Sequence, residues 1–443
     1  MRLGLKKVIA LITLRSNIRN YRRGLDSGKE SMRINARASL YILLMELLYL
    51  FSMNKPTSYT YATIFGIFFL SVILNYGFAS LISSPHEGDS LAYHIPIAKS
   101  VLTGSILHPT FYLGYYPSTA EVILSLFLLL HIPLNLFNIF CLILLFFSLK
   151  KLAERVGLDT YMAVIFSVSV CLLPTMLRWS ASQVIDIWLL LFYIVCVTLL
   201  ENPDKRYRYF FFLGCAAGLL IGAKFSGPLF ALGLCFIYYK KFVELFSFKR
   251  LLFFLIPFVI IGLSWYLRNT LIMHNPIYPQ RLFSLPGFGS WNIFAFHEWQ
   301  IIIQYPLKIV NALIAEYFFW FLSPLAALSI LIFQRNTLGK FAGSYTRLLL
   351  LGIYNLFIFL FLPTTPEYNI IVSSLRYSYP AFVPFILCSY LAARALKQEL
   401  TIILLSFSGL LFLPGSGYRP KLLFIFILLL FVFRYGKKSI ISR

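Results

Sequence analysis

The sequence predicts an all-α integral membrane protein: a multi-span helical bundle of about twelve transmembrane helices, with interfacial helices in its first large loop. Three observations carry this. Of 443 residues, 59% are hydrophobic and only 12% are charged, whereas about a quarter of a soluble domain is charged. The apolar residues come in repeated runs near the ~20 residues needed to cross ~30 Å of hydrocarbon. The net charge of +23 is collected in alternate connecting segments.

The elements follow in order. Residues 1–59 form a basic segment with one apolar stretch, Leu40–Met53, too short to span and read as interfacial. Its first apolar patch, Val8 to Leu14, lacks the length and the small-residue cleavage site of a signal peptide. Spans are expected at about 60–83, 136–150, 160–177, 184–200, 208–223, 226–240, 250–268, 308–333, 347–363, 377–393, 400–413 and 421–434. A second short apolar stretch, Ala120–Leu130, is assigned to the interface. The organisation expected is thus a transmembrane module at 60–268 that contains the loop 84–135, a second large loop at 269–307, and C-terminal helices at 308–443.

With both termini cytoplasmic, 30 of the 39 Lys and Arg residues fall on the cytoplasmic side. The outer side keeps Lys99, Arg178, Lys224, Arg268, Arg281, Lys308, Arg376, Arg419 and Lys421. This split obeys the positive-inside rule, so the basic excess reports orientation in a bilayer, with no nucleic-acid partner. A bacterial cytoplasmic membrane suits the composition. The six cysteines lie within apolar runs without CxxC spacing and read as small core hydrophobes. All six histidines land on the outer side with seven of the acids, so any chemistry faces outward.

The densest polar stretch is SPHEGDSLAYH, residues 84–94, with two carboxylates and two histidines. Asp89 is placed to cap a short helix from Ser90, which Gly104 would end and Pro96 would bend. Glu87 and His86 have no such local duty. Oxygen ligands from Glu87 and Asp89, with His86 and His94 nearby, would suit Mg²⁺ or Mn²⁺, but the spacing matches no strong metal motif. No cofactor is firmly implied.

Further on, Tyr116 belongs to an aromatic run suited to headgroup level, and Glu121 opens the short apolar helix. Asp186 sits at the outer start of a span. Lys224, in GAKFSG, and Arg268 and Arg376, at outer helix ends, are cations at the depth of a lipid phosphate. Snorkelling to the interface is their alternative reading. Asn269, Asn275 and Tyr278 begin the second large loop. Glu316, an acid inside a span, is the residue that favours a transporter.

In their order, these segments resemble the GT-C membrane glycosyltransferases, in particular the group related to protein O-mannosyltransferases and bacterial aminoarabinose transferases. The resemblance is carried by GDSLAYHIPIAKSVLTGSI, YYPSTAEVILSLFLLL, LLPTMLRWSASQVIDIWLLLFYIV, GCAAGLLIGAKFSGPL, WYLRNTLIMHNPIYP and LRYSYPAF, across residues 60–385. It implies transfer of a sugar from a polyprenyl-phosphate donor to an acceptor glycan, lipid or protein outside the membrane. Asp89 would be the general base of an inverting displacement, with Glu87 and Asp186 as further catalytic acids. Lys224, Arg268 and Arg376 would hold the donor phosphate. Tyr93, His94, Tyr116, Glu121, Asn269 and Tyr278 would line the substrate pocket. The family often has two adjacent acids where Ser90 follows Asp89 here. A lipid-linked oligosaccharide flippase and a polysaccharide polymerase or ligase are the alternatives.

Overall fold

The computed structural model describes residues 58–410, apart from 202–203, 205, 246, 282, 289–296 and 363–374. The basic N-terminal segment with Leu40–Met53, the span expected at 421–434, Glu367, Arg419 and Lys421 lie outside the described residues. Two compact units divide the chain, Met1–Ser71 and Val72–Arg443. The first is described only over the start of helix α1, Ser58–Ile82. Every site below belongs to the second.

Among the described residues the secondary structure is helical, with no β-strand. After α1 come α2 (Ile95–Leu102), α3 (Thr119–Leu129), α4 (Phe137–Arg155), α5 (Thr160–Cys171), α6 (Pro174–Trp179), α7 (Asp186–Glu201) and α8 (Tyr207–Ala223). Next are α9 (Gly227–Ile237), α10 (Tyr239–Leu245), α11 (Phe248–Phe258), α12 (Ser264–Met273), α13 (Glu298–Gln304) and α14 (Pro306–Tyr317). The series ends with α15 (Ser323–Phe333), α16 (Ala342–Leu360), α17 (Tyr379–Ala395) and α18 (Glu399–Leu410).

Among the described residues five helices are long and apolar enough to cross a membrane: Tyr61–Ile82, Leu134–Arg155, Phe248–Met273, Pro306–Phe333 and Arg335–Leu360. Shorter apolar helices include Thr160–Cys171, Tyr207–Ala223, Gly227–Ile237 and Glu399–Gly409. The spans expected at 160–177, 208–223, 226–240 and 400–413 have their counterparts in these shorter helices, and the one at 421–434 lies outside the described residues. The run expected at 160–177 breaks after Cys171, because Pro174 lacks a donor N–H and starts the new helix α6. The run at 250–268 continues to Met273, with a π-helical turn at Val259–Leu263 just past Pro257. The segment at Ala120–Leu130 is the short helix α3, as expected.

The first loop corrects one local expectation. Asp89 is itself helical (φ −62°, ψ −38°) and makes no capping bond. Glu87 caps instead: its Oε2 accepts from the Ser90 backbone N–H at 2.8 Å and from Ser90 Oγ at 3.0 Å. The helix begins before Ser90, its first turn closed by Leu91 N–H to Glu87 O at 3.1 Å, so the acid one step upstream meets the free amides. Gly104 ends the segment in the left-handed region (φ +75°), as expected.

One packing device sets the middle of the bundle. Gly214, Gly218 and Gly222 fall four residues apart on one face of α8. A Cβ at Gly218 would meet Ile261 Cβ at 3.1 Å and Pro257 O at 3.2 Å. Small residues here let the backbones of α8 and Phe248–Met273 touch, as in other membrane helix pairs. The core proper lies along α4, α5, α7 and α17, where Leu142, Phe166, Tyr193 and Ile386 are wholly buried.

The two ends of the bundle are chemically different. At one end Glu201 accepts from Tyr238 OH (2.6 Å), Ser344 Oγ (2.8 Å), and Arg347 Nε (2.9 Å) and Nη2 (2.6 Å). These residues come from segments that charge counting assigns to one side. The opposite ends of the helices, assigned to the other side, converge on the site described next.

Candidate active site

The acids and bases of the site sit at or beside helix ends, and the helix dipole favours two of them, Asp186 and Lys224. Asp186 is the first residue of α7, where the positive end of the helix dipole favours a carboxylate. Lys224 follows α8 as its C-cap, where a cation is favoured. Arg376 lies in the 3₁₀ turn Leu375–Ser378 that leads into α17. Asp89 stands in the first turn of the loop helix.

These four side chains form one chain of ion pairs. Arg376 Nη2 donates to Asp89 Oδ2 at 2.9 Å, and Arg376 Nε lies 3.0 Å from Asp186 Oδ2. Lys224 Nζ donates to Asp186 Oδ1 at 2.7 Å. Aromatic faces complete the setting: Lys224 lies 3.8 Å over the ring of Tyr377, and Arg376 lies 4.9 Å over Trp179 and 5.2 Å over Tyr377. The chain grades from buried to open, with Asp186 4%, Arg376 7% and Asp89 39% exposed. Burial works against the Lys224 ammonium, but the Asp186 carboxylate and the Tyr377 phenol outweigh it and raise its pKa. Burial also pushes the Tyr93 phenol well up, and the Asp89 charge adds to this, so Tyr93 stays neutral.

The register of the two acids is held by polar contacts behind them. Ser90, bound by Glu87, accepts from the Gln183 backbone N–H at 3.0 Å. Gln183 Nε2 in turn donates to Asn135 Oδ1 at 2.8 Å. The first loop is thereby tied to the residues just ahead of Asp186.

A cavity of about 1210 Å³ opens from this cluster. Asp186, Lys224, Tyr377, Tyr93, His94 and Glu121 line one end. Leu200, Leu220, Leu234, Leu251, Phe254 and Phe258 are among the apolar residues that line it further along. Since the cavity touches both Asp186 and Leu200, it follows α7 for roughly 20 Å at 1.5 Å per residue. A polar head and a long apolar body describe its shape.

No family model matches this chain, and no curated protein matches its sequence. A solved structure does match: ArnT from Cupriavidus metallidurans, crystallised bound to undecaprenyl phosphate, with a TM-score of 0.52 at 14% identity. The match covers 78% of this chain and 63% of that one. The fold is that of ArnT. The chain is thus an all-α membrane protein with an ArnT-like fold, and it spans less than two thirds of ArnT's length.

Within this ArnT-like fold the expected site residues separate into groups. Asp89, Asp186, Lys224 and Arg376 meet directly. Tyr93, His94, Tyr116 and Glu121 line the cavity beside them. Arg268 does not join: its Nη1 donates to Ile106 O at 2.9 Å, and its Nε and Nη2 donate to Asn269 Oδ1 at 3.0 and 2.8 Å. Asn269 Nδ2 reaches Tyr115 O at 2.8 Å and Tyr278 O at 3.2 Å. Asn275 Nδ2 bonds Gln280 O at 2.8 Å and Pro286 O at 2.7 Å. The RN pair therefore joins the first and second loops, and Tyr278 packs edge-on against Tyr115 at 5.1 Å. Glu87 is turned towards Ser90 and Asp89 towards Arg376, and among the described residues no group of three or more His, Cys, Asp or Glu side chains is disposed to hold a metal ion.

Glu316 has a structural partner set. Both of its oxygens accept from the Thr175 backbone N–H at 3.2 Å, one accepts from Thr175 Oγ1, and Oε1 accepts from Tyr379 OH at 2.7 Å. It satisfies the start of α6 from across the bundle and fixes α6 to α17, the helices beside Trp179 and Arg376. Two site residues escaped sequence reading, Tyr377 and Trp179. The available signal was adjacency, since each aromatic neighbours an arginine in LRYS and LRWS.

Proposed function

We propose that the protein is a glycosyltransferase that takes a sugar from a polyprenyl-phosphate carrier and places it on an acceptor at the extracytoplasmic face of a bacterial cytoplasmic membrane. The observation that carries this reading is the Asp89–Arg376–Asp186–Lys224 chain of ion pairs, of which Asp186 and Lys224 line a largely apolar cavity. The prenyl chain would lie along Leu200, Leu251 and Phe254, and the phosphate would meet Lys224 and Arg376. The undecaprenyl phosphate bound to ArnT, whose fold this chain shares, supports the assignment.

Asp89 is the general base in this reading. One of its oxygens is held by Arg376, while Oδ1 has no hydrogen-bond partner among the described residues. As the acceptor oxygen bonds to the anomeric carbon, its proton passes to Asp89. The bond from that carbon to the phosphate oxygen breaks, and its electron pair leaves on the lipid phosphate, whose charge Lys224 and Arg376 neutralise. Attack from the side opposite the phosphate inverts the anomeric centre. Asp186 holds both cations and so positions them.

The test is sugar transfer from a polyprenyl-phosphate donor by purified protein in liposomes, wild type against Asp89→Asn. A loss of 10²–10⁴-fold is expected for removing a general base. Near-normal transfer by the variant would show that Asp89 is not the base.

A further inference from the structure

His94 and Glu121, twenty-seven residues apart, form a buried pair at the polar end of the cavity. His94 Nδ1 lies 2.7 Å from Glu121 Oε1, and both side chains are 1% exposed. The outer atoms of the pair, His94 Nε2 and Glu121 Oε2, are buried with no hydrogen-bond partner among the described residues. Both residues line the cavity, as do Tyr93 and Asp186. Buried polar atoms left unmet are costly, so the pair calls for a ligand.

The geometry of the contact says which kind. An ionised carboxylate only accepts, so Nδ1 carries the hydrogen of the 2.7 Å contact. In the neutral ring Nε2 is then an acceptor too. The pair therefore offers the cavity two adjacent acceptors, one of them anionic. A phosphate is the wrong partner, being anionic and rich in acceptors itself. A group with two neighbouring O–H or N–H donors is the right one. Tyr93 packs 4.1 Å from the His94 ring, and Tyr116 meets Tyr93 edge-on at 5.7 Å, so an apolar wall flanks the acceptors. Paired acceptors beside aromatic faces suit a sugar ring, with hydroxyls at its rim and C–H groups on its face.

We propose that His94 Nε2 and Glu121 Oε2 bind two neighbouring hydroxyl or amino groups of the transferred sugar and set which sugar the protein uses. This rests on the lipid-donor reading above and divides the donor in two: Lys224 and Arg376 take the phosphate, and His94 and Glu121 take the sugar.

The experiment compares binding of bare undecaprenyl phosphate with binding of the same lipid carrying glucose, mannose, galactose, N-acetylglucosamine or 4-amino-4-deoxyarabinose, by native mass spectrometry in detergent. The proteins are wild type, Glu121→Gln, and the double variant His94→Phe/Glu121→Leu. The double variant replaces both partners with apolar groups of similar size, which spares the fold the cost of a single orphaned charge. Wild type is expected to hold at least one glycosylated lipid about tenfold more tightly than the bare lipid, the worth of one good hydrogen bond. Both variants are expected to bind bare lipid within about twofold of wild type and to lose the sugar increment, since 1.4 kcal/mol is tenfold. An increment that survives in both variants overturns the proposal, as does the absence of any increment in wild type across the panel. Failure of wild type to bind bare undecaprenyl phosphate is a different result, and it removes the lipid-donor reading itself.

Discussion

Asp89 and Asp186 sit in the same chain of ion pairs, yet their neutralisation should have opposite consequences. In Asp89→Asn one contact is lost, Arg376 Nη2 to Oδ2 at 2.9 Å, on a carboxylate 39% exposed. Exposed pairs contribute about 0–1 kcal/mol, and Arg376 keeps Asp186, so melting should scarcely move. Asp186→Asn removes partners from two cations at once, Lys224 at 2.7 Å and Arg376 at 3.0 Å, with the carboxylate only 4% exposed. Breaking a buried pair from one side costs about 3–5 kcal/mol. Lys224, 29% exposed, recovers part of that from water and from the face of Tyr377, leaving about 2–4 kcal/mol. The assay is thermal unfolding of detergent-purified protein alongside sugar transfer in liposomes. Asp89→Asn should melt like wild type and lose transfer by 10²–10⁴-fold, while Asp186→Asn should melt several degrees lower. Equal melting shifts for the two variants would refute the assignment of the buried acid to positioning and the open acid to proton transfer.

Other changes probe the rest of the site. Arg376→Lys keeps the charge but loses the planar fork that reaches both acids and stacks on Trp179; transfer should fall about tenfold or more with the fold intact. Ala217→Phe puts a ring into the apolar cavity and should raise the apparent KM for the lipid donor, measured with varied donor, while leaving the acceptor KM unchanged. Gly218→Leu forces apart α8 and Phe248–Met273, at about 1–3 kcal/mol for overpacking, and should show as a lower melting midpoint. Arg268→Gln loosens the contact between the two loops and should change donor and acceptor KM by similar factors; a rise confined to the donor would return Arg268 to the phosphate.

Much of the architecture was legible because membrane constraints are local. A helix must supply enough apolar residues to cross hydrocarbon, and an unpaired charge within it is costly, so composition along the chain marks helices and displaces acids and bases to their ends. That placed Asp89, Asp186, Lys224 and Arg376 at helix ends on one side, and the fold brings those ends together. Span limits were less legible. Pro174 and the short apolar helices let the chain break and re-enter within runs that composition alone treats as continuous.

What the sequence by itself determined, then, is a helical membrane bundle with its acids and bases at the helix ends, because burial in hydrocarbon acts on each segment separately. Only the tertiary structure decided which side chains meet. Arg376 reaches an acid 287 positions away, His94 pairs with Glu121, and Arg268 is taken up by the loops. Each of those outcomes depends on a distance of about 3 Å between segments whose spacing along the chain carries no record of it. Close packing of α8 against Phe248–Met273, and of the first loop against Gln183, sets those distances.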